Sequence, residues 1–412
     1  MNRKEYIAGL DIGTTKTCCV LADVDLASSA IEILGAGLAP SEGVRKGVVV
    51  DLDSTTQSIR AAVDDAQKQA GNIQIRTVVV GVTGEHVSSL NSRGVIAIAS
   101  EDNEISSLDV ERVVEASRVI VLPPEREIIH SIPRGFIVDG QDGIKDPVGM
   151  FGGRLEVETH IVTGSTAFLD NVVKCVQQAD LAIDREVLEQ IATGIATVQD
   201  AERDLGVALI DIGGGTTNVA LFIDGVILYT AALPIGGSHV TKDIAVGLRS
   251  SAEEAERVKI EYGCASMDMV GEDELFQVSR LSADEPSELP RSLLASIIEP
   301  RMEEIFEKIR EELIKSGYQG MLPGGAVITG GGAILPGVVD MAEKLLSMPV
   351  RLGLPRGVGG QIDSVNTPIH TTAVGLAMYA AKQHLDLRSK QKTAKLKGGL
   401  RGLFKLFTRR DQ

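Results

Sequence analysis

"GLDIGTTKTCCVLADVD" (9–25) and "LIDIGGGTTNVALFIDG" (209–225) are two versions of one pattern, set 200 residues apart. Each runs from an apolar strand through Asp-Ile-Gly into a Gly/Thr-rich turn and then into a second strand. Two copies of one supersecondary unit predict two similar half-domains that face each other. The turns also carry chemistry. A tight hairpin of Gly and Thr exposes successive backbone N–H groups as an anion-binding nest, and the Thr hydroxyls add donors. Either turn alone reads as an ordinary Gly/Thr hairpin; the pair points to phosphate clamping. Asp11 and Asp211 end the strands before the turns, where a carboxylate can hold Mg2+ through its waters, since that ion takes few protein ligands. Lys16 can neutralise phosphate charge.

Working outward, "AVITGGGAILPG" (326–337) sends an apolar strand into Gly330, Gly331 and Gly332, and Pro336 is read as the first residue of a following helix. Glycines let a backbone approach a ligand without Cβ clash, and a helix N-terminus nearby favours an anion. Neither a Walker A pattern nor G-x-G-x-x-G is present. Ser54 and Gln57 read as a capping box opening a helix over Ile59, Val63 and Ala66 that stops at Gly71. Thr77–Val82 reads as an apolar strand. Strands alternating with helices make an α/β architecture. The segment Ser106–Thr163 differs: one helix in "SSLDVERVVEASRVI", then strands broken by "LPPE", "IPRG" and "VDGQDG". It reads as an inserted subdomain, with exposed-edge candidates in "RGFIVDG".

The 412 residues are too many for one core and predict two or more domains. Hydrophobic content of 43% and charged content of 24% are ordinary for a soluble globular chain, and with aromatics at 3% and no Trp the core must be aliphatic. A net charge of −16 argues against nucleic acid as a partner. Cys18, Cys19, Cys175 and Cys264 form no C-x-x-C, so they read as reduced, buried thiols of a cytosolic protein. "MNRKEYIAGLDIG" contains no signal-peptide core, and no run of 18 apolar residues predicts a membrane span.

The three glycine-rich elements, in this order, resemble the phosphate and adenosine motifs of the actin superfamily, which includes actin, sugar kinases, DnaK-type chaperones and bacterial actins. The fold implied is α/β and actin-like: two similar half-domains around a nucleotide cleft. Asp11–Thr17 is similar to the first phosphate motif, Asp211–Asn218 to the second, and Val327–Gly337 to the adenosine motif. "EQIATGIATV" (189–198) and "TPIHTTAVGLAMYA" (367–380) resemble the two connecting helices, whose small residues Ala192, Gly194, Ala373 and Gly375 allow close contact at a hinge. "AERVKIEYG" (255–263) resembles the stretch that holds ribose and adenine, here through Glu256 and Lys259. The cofactors implied are ATP and Mg2+. Their site is Gly13, Thr14, Thr15, Lys16, Gly213, Gly214, Gly215, Thr216, Thr217, Asn218, Glu256, Lys259 and Gly330–Gly332, with Asp11 and Asp211 on the metal through water.

Within the superfamily, "DGIKDPVGMFGGRLEVETHIVTG" (142–164), "LPIGGSHVTKDIAVGL" and "IIEPRMEEIF" resemble the FtsA family of bacterial cell-division actins, over essentially the whole chain. That family carries a subdomain called 1C where actin has 1B. The division it implies is 1–85, 164–195 and 366–385 for 1A; 86–163 for 1C; 196–237 and 302–365 for 2A; and 238–301 for 2B. A basic linker (386–398) and an amphipathic tail (399–412) follow. The resemblance implies an ATP-binding, polymerising scaffold on the inner face of the cytoplasmic membrane at the division site. There it would anchor FtsZ by that protein's C-terminal peptide and link it to later divisome proteins. The peptide's dock falls on 2B, with Arg291 and Arg301 as cations for its carboxylates. The competing members are MreB-type and pilus-assembly actins and small-molecule kinases. One departure concerns catalysis, which is at most a weak ATPase. Chaperones and MreB start the first connecting helix with Glu-Pro, whose Glu positions the attacking water; here Glu189 precedes Gln190, and its alternative is a solvated helix-end carboxylate.

Residues 387–412 hold nine Lys/Arg against one acid, in an otherwise acidic chain. At helical period Leu400, Leu403, Phe404 and Phe407 fall on one face with Leu406 at its edge, and Arg401, Lys405 and Arg409 fall opposite. Arg410 lies near the boundary and would snorkel. This is the pattern of a helix lying on an anionic membrane, with docking into a protein groove as the alternative. Four large apolar side chains contribute roughly 6–12 kcal/mol gross if fully buried, much of it offset by ordering the peptide.

Overall fold

The computed structural model describes residues 5–25, 28–100, 102–281 and 285–386. A six-stranded and a five-stranded sheet dominate it, and five strands of the first repeat the topology of the second; the sixth, Gly359–Gly360, is a short addition beside Ile31–Pro40. In the first, Glu5–Ile12, Lys16–Val24 and Ile31–Pro40 form an antiparallel meander; Thr77–Val82 then adds parallel to Glu5–Ile12, and Ala182–Leu188 parallel to Thr77–Val82. In the second, Val207–Ile212, Thr217–Ile223 and Val226–Leu233 form the meander, and Ala326–Thr329 and Val350–Leu352 add in parallel in the corresponding places. Both central strands are buried along nearly their whole length, which is why they read as continuous apolar runs rather than alternations. The duplicated α/β architecture of two similar halves expected from the repeat is present.

Two helices join the halves: Glu189–Thr197 and a second over 371–386. They cross at small residues. A Cβ on Gly375 would overlap the carbonyl of Ala192, and one on Gly9 would overlap that of Ala373. Substitution at Gly375 would therefore force the helices apart, and at Gly9, on strand Glu5–Ile12, would push the second helix off the first sheet.

Between Thr77–Val82 and Ala182–Leu188 the chain makes a separate antiparallel sheet, ordered Ser88–Ala97, Arg154–Ser165, Arg126–Val138, Gln141–Ile144. Helix Ser107–Ser117 lies on one face, opened by a capping box between Ser106 and Asp109. Leu155 and Val157 pack under it with Val113 and Phe136. In the second half, helices Gly237–Leu248 and Ala252–Tyr262, the hairpin of Leu275–Val278 with Ser287–Pro290, and the long helix Arg291–Ser316 form an outer layer.

Four expectations are corrected. The helix expected to open at Ser54 spans Leu52–Gln69, because the Asp51 carboxylate accepts the Ser54 N–H at 2.9 Å and caps it one turn earlier. Pro336 is outside its helix, which spans Val338–Leu346; a 3-10 turn at Gly331–Ile334 and Gly337 at φ +84° intervene. "RGFIVDG" is not an open edge. Phe136 and Val138 pair with Val157 and Leu155 on one side and with Ile144 and Gln141 on the other, across a turn in which Asp139 and Gly140 both have positive φ. Residue 386, expected to start the linker, is helical and is the last described residue. The rest of the linker and every candidate tail residue lie outside the described residues. Among those described, no helix is long and apolar enough to cross a membrane.

Candidate functional site

The two repeated turns meet. Each is closed by the same bond, Gly13 N–H to the Lys16 carbonyl and Gly213 N–H to the Thr216 carbonyl, both at 2.9 Å. Their tips are complementary: a Cβ on Gly214 would run into the side chain of Thr15, and one on Gly215 into that of Thr14. The second tip has support behind it. Gly237 N–H and Ser238 N–H, opening helix Gly237–Leu248, donate to the carbonyls of Gly213 and Gly214 at 2.9 and 2.8 Å. Those carbonyls are thereby occupied on the side away from the first hairpin.

Below the turns lie three buried carboxylates, Asp11, Asp211 and Glu189. Lys16 Nζ donates to Asp11 at 2.7 Å. Burial works against the Lys16 charge, but Asp11 and, further off, Asp211 outweigh it and hold the ammonium protonated. Asp211 accepts from Thr372 at 3.1 Å and Thr193 at 3.4 Å, one hydroxyl from each connecting helix, and those hydroxyls bond each other at 2.9 Å. Burial raises the Asp211 carboxyl to about 6, with Lys16 opposing and Asp11 adding to the rise. Glu189 is the first residue of its helix and accepts from Asn218 Nδ2 at 3.0 Å; Asn218 Oδ1 in turn accepts from the Thr83 hydroxyl at 2.7 Å. Burial, then Asp11 and Asp211, push Glu189 well above the usual carboxylate range. The reading of Glu189 as a solvated helix end is therefore excluded. Beside it, among Gly47, Gly81 and Thr83, is a cavity of about 10 Å³, room for roughly one water.

Three buried carboxylates against one ammonium leave excess negative charge, which a divalent cation would neutralise. No three His, Cys, Asp or Glu among the described residues are grouped to hold a metal directly.

The glycine run splits by role. A Cβ at Gly330 or Gly332 would strike Asp211 or Ile212, whereas one at Gly331 would meet only open space. Beside this turn is a cavity of about 430 Å³, lined by Ala333, Ile334, Leu335, Leu352, Asn366 and Pro368 among others. Lys259 Nζ bonds Glu256 at 2.6 Å, Thr241 at 2.9 Å and the Gly237 carbonyl at 3.3 Å. This places Glu256 and Lys259 beside the helix that backs the second hairpin. Thr216 and Thr217 are buried in the same turn, Thr217 donating to the Ile235 carbonyl at 2.8 Å.

The two expected partner cations are already engaged. Arg291 pairs with Glu274 at 2.5 Å and donates to the Tyr262 carbonyl at 2.7 Å; Arg301 pairs with Asp243 at 2.5 Å and with Glu304. Thr83, Thr193 and Thr372 belong to the site and were not anticipated. Their partners lie far away in sequence, and a lone threonine announces no such contact.

The family model "Cell division protein FtsA" matches residues 208–375, and "SHS2 domain inserted in FTSA" matches 84–163. "Cell division protein FtsA" of Pseudomonas aeruginosa is 42% identical over 93% of this chain and 91% of its own length. That of Bacillus subtilis is 43% identical over 93% and 85%, and that of Escherichia coli 34% over 93% and 92%. Among solved structures, a chain of the "PilM-PilN type IV pilus biogenesis complex" has a TM-score of 0.68 at 18% identity, over 91% of this chain and 98% of its own. "MreB5 of Spiroplasma citri bound to ADP" gives 0.53 at 12% identity, over 93% and 98%. These neighbours share the fold; the identities to the division proteins go further, and the chain belongs to the FtsA family of cell-division proteins.

Proposed function

We propose that this chain binds ATP with Mg2+ between its two halves and works as a polymerising scaffold that anchors FtsZ to the inner face of the cytoplasmic membrane and links it to later divisome proteins. The observation that carries the nucleotide reading is the facing pair of hairpins above three buried carboxylates. The amides of Thr14 and Thr15 and of Gly214–Thr217 receive phosphate oxygens, while those of Gly13 and Gly213 close the hairpins that present them, and Lys16 offsets the phosphate charge. Asp11 and Asp211 are the residues that would hold Mg2+ through its waters, and the ion would supply neutralisation of the phosphates. The Gly330–Gly332 backbone lies against the adenosine, with Glu256 and Lys259 on its ribose and base. Glu189, aimed by Asn218, orients a water, and turnover is slow at most. The neighbour from Spiroplasma citri is bound to ADP.

The inserted sheet is read as subdomain 1C and a contact between successive subunits, and 238–301 as the dock for the acidic FtsZ peptide. Since Arg291 and Arg301 already have carboxylate partners, an arriving peptide would share or displace them. The amphipathic, basic pattern of residues 399–412 supports their role as the membrane anchor. One such tail is a weak anchor, and a filament of them gains avidity, so assembly and attachment reinforce each other. Leu403→Asp with Phe404→Asp should release the protein from anionic liposomes and leave ATP binding intact; continued co-sedimentation would remove the tail as anchor. The nucleotide reading is tested by titrating labelled ATP into Gly215→Asp, where unchanged affinity in a folded variant would refute it.

A further inference from the structure

The inserted sheet has one face under its helix and another with a different occupant. Leu155, Val157 and Thr159 look toward helix Ser107–Ser117. Strand alternation puts His160 and Val162 on the opposite side, together with their cross-strand partners Asn91, Ser89, Ile132 and His130. That second face straddles the hinge. His130 Nε2 accepts the Leu188 N–H at 3.0 Å, at the junction of the first sheet with the connecting helix. Two residues on, Ile132 packs into an apolar cluster of the second half with Val207, Leu209 and Phe222. Arg134 is the extra residue of a β-bulge between the pairs Pro133–Thr159 and Gly135–Glu158. Bulges re-aim side chains, and this one sends the Arg134 guanidinium to the Tyr318 hydroxyl at 3.1 Å. Ser89 Oγ donates to the Thr230 carbonyl at 3.2 Å, and His160 Nε2 bonds the Thr230 hydroxyl at 3.1 Å, both onto the edge strand Val226–Leu233 of the second sheet.

We propose that the inserted sheet is a strap across the hinge. It is covalently part of the first half and docked on Thr230 and Tyr318 of the second, so the cleft opens fully only when that dock releases. Cleft state and the orientation of the inserted sheet are thereby one equilibrium. A subdomain serving only as a surface for other molecules would need no such contact.

The test compares the full chain with Tyr318→Phe, with Thr230→Val, and with Thr230→Val plus Ser89→Ala. Tyr318→Phe keeps the ring and removes only the hydroxyl, so it serves if the buried Thr230 changes impair folding. Two readouts are taken: the dissociation rate of a fluorescent ATP analogue with Mg2+ during a chase, and amide exchange of 226–233 without nucleotide. The strap predicts faster release, roughly threefold for one lost hydrogen bond and tenfold for the combined change, and earlier exchange of 226–233. Release and exchange equal to the parent in every folded variant would overturn it. The release arm rests on the cleft being the ATP site. If the parent binds no analogue, that reading fails, and the exchange arm alone decides the strap: earlier exchange supports it and unchanged exchange overturns it.

Discussion

The two hairpins share a closing bond and a sheet topology, yet their aspartates are held in unlike ways. Asp11 is met by a cation from its own turn, Lys16. Asp211 has Thr216 at the place of Lys16 and is instead held by Thr193 and Thr372 from the two connecting helices. The tips differ in the same sense, with threonines on one side and glycines on the other. A duplicated unit that folds back on its copy cannot keep both surfaces alike. Where tips touch, one must be small, and where carboxylates gather, one side must bring the compensating charge. The first half carries the charge, and the second half is tied to the hinge.

The largest way to break this asymmetry is to place a carboxylate at the small tip. At about 4 Å from a phosphate, a like charge costs about 4 kcal/mol at an effective dielectric of 20. Gly214→Asp should therefore weaken ATP by roughly a thousandfold, read by equilibrium titration. The complementarity itself is sharpened by a cycle on the nucleotide-free protein. Gly214→Ala should destabilise by about 1–3 kcal/mol through overpacking against Thr15, and Thr15→Gly should recover part of that loss, seen as non-additivity in denaturant unfolding.

Next come the two aspartate supports. Lys16→Met leaves Asp11 buried without its cation and should cost about 3 kcal/mol. Thr372→Val removes one of two hydroxyls from Asp211 and should cost about 1 kcal/mol. Equal losses in urea unfolding would show that the two halves are wired alike.

The smallest effect concerns pH. Glu189 and Asp211 are both raised in the folded protein. Each therefore favours folding fully below the ordinary carboxylate value, and that contribution is lost as pH rises through the folded value, about 6 for Asp211. The nucleotide-free protein should lose stability between about pH 4 and pH 7 from these groups. Glu189→Gln should flatten that fall, raising the melting temperature by a few degrees at pH 8 and little at pH 5. A gain independent of pH would show that Glu189 is not a buried, ionising group.

What was legible in the sequence was local. Apolar runs ending in Asp-Ile-Gly, the triple glycine and the small residues of the two connecting helices each announce themselves within a dozen positions, and they locate both hairpins, the third turn and the hinge. What was not legible depends on distant partners. Glu189 lacks a following proline, and only the approach of Asn218 and Thr83 shows that it is buried and held rather than solvated. Arg301 read as a free cation because its partner Asp243 lies 58 residues away. Asp51 outcompeted Ser54 as a cap because both residues suit the role and only the backbone path chooses between them. The bulge that aims Arg134 lies inside "IPRG", which reads as a break between strands; Pro133 and Gly135 mark an irregularity, but not that one strand, Arg126–Val138, continues through it.

The central claim is that both halves grip one nucleotide. Amide exchange with and without ATP and Mg2+ tests it most directly. With one nucleotide held from both sides, 11–17 and 211–218 should gain protection together, at the same ligand concentration, and Gly215→Asp should abolish both gains. Protection confined to one hairpin, or absent from both while ATP binds elsewhere, would contradict it.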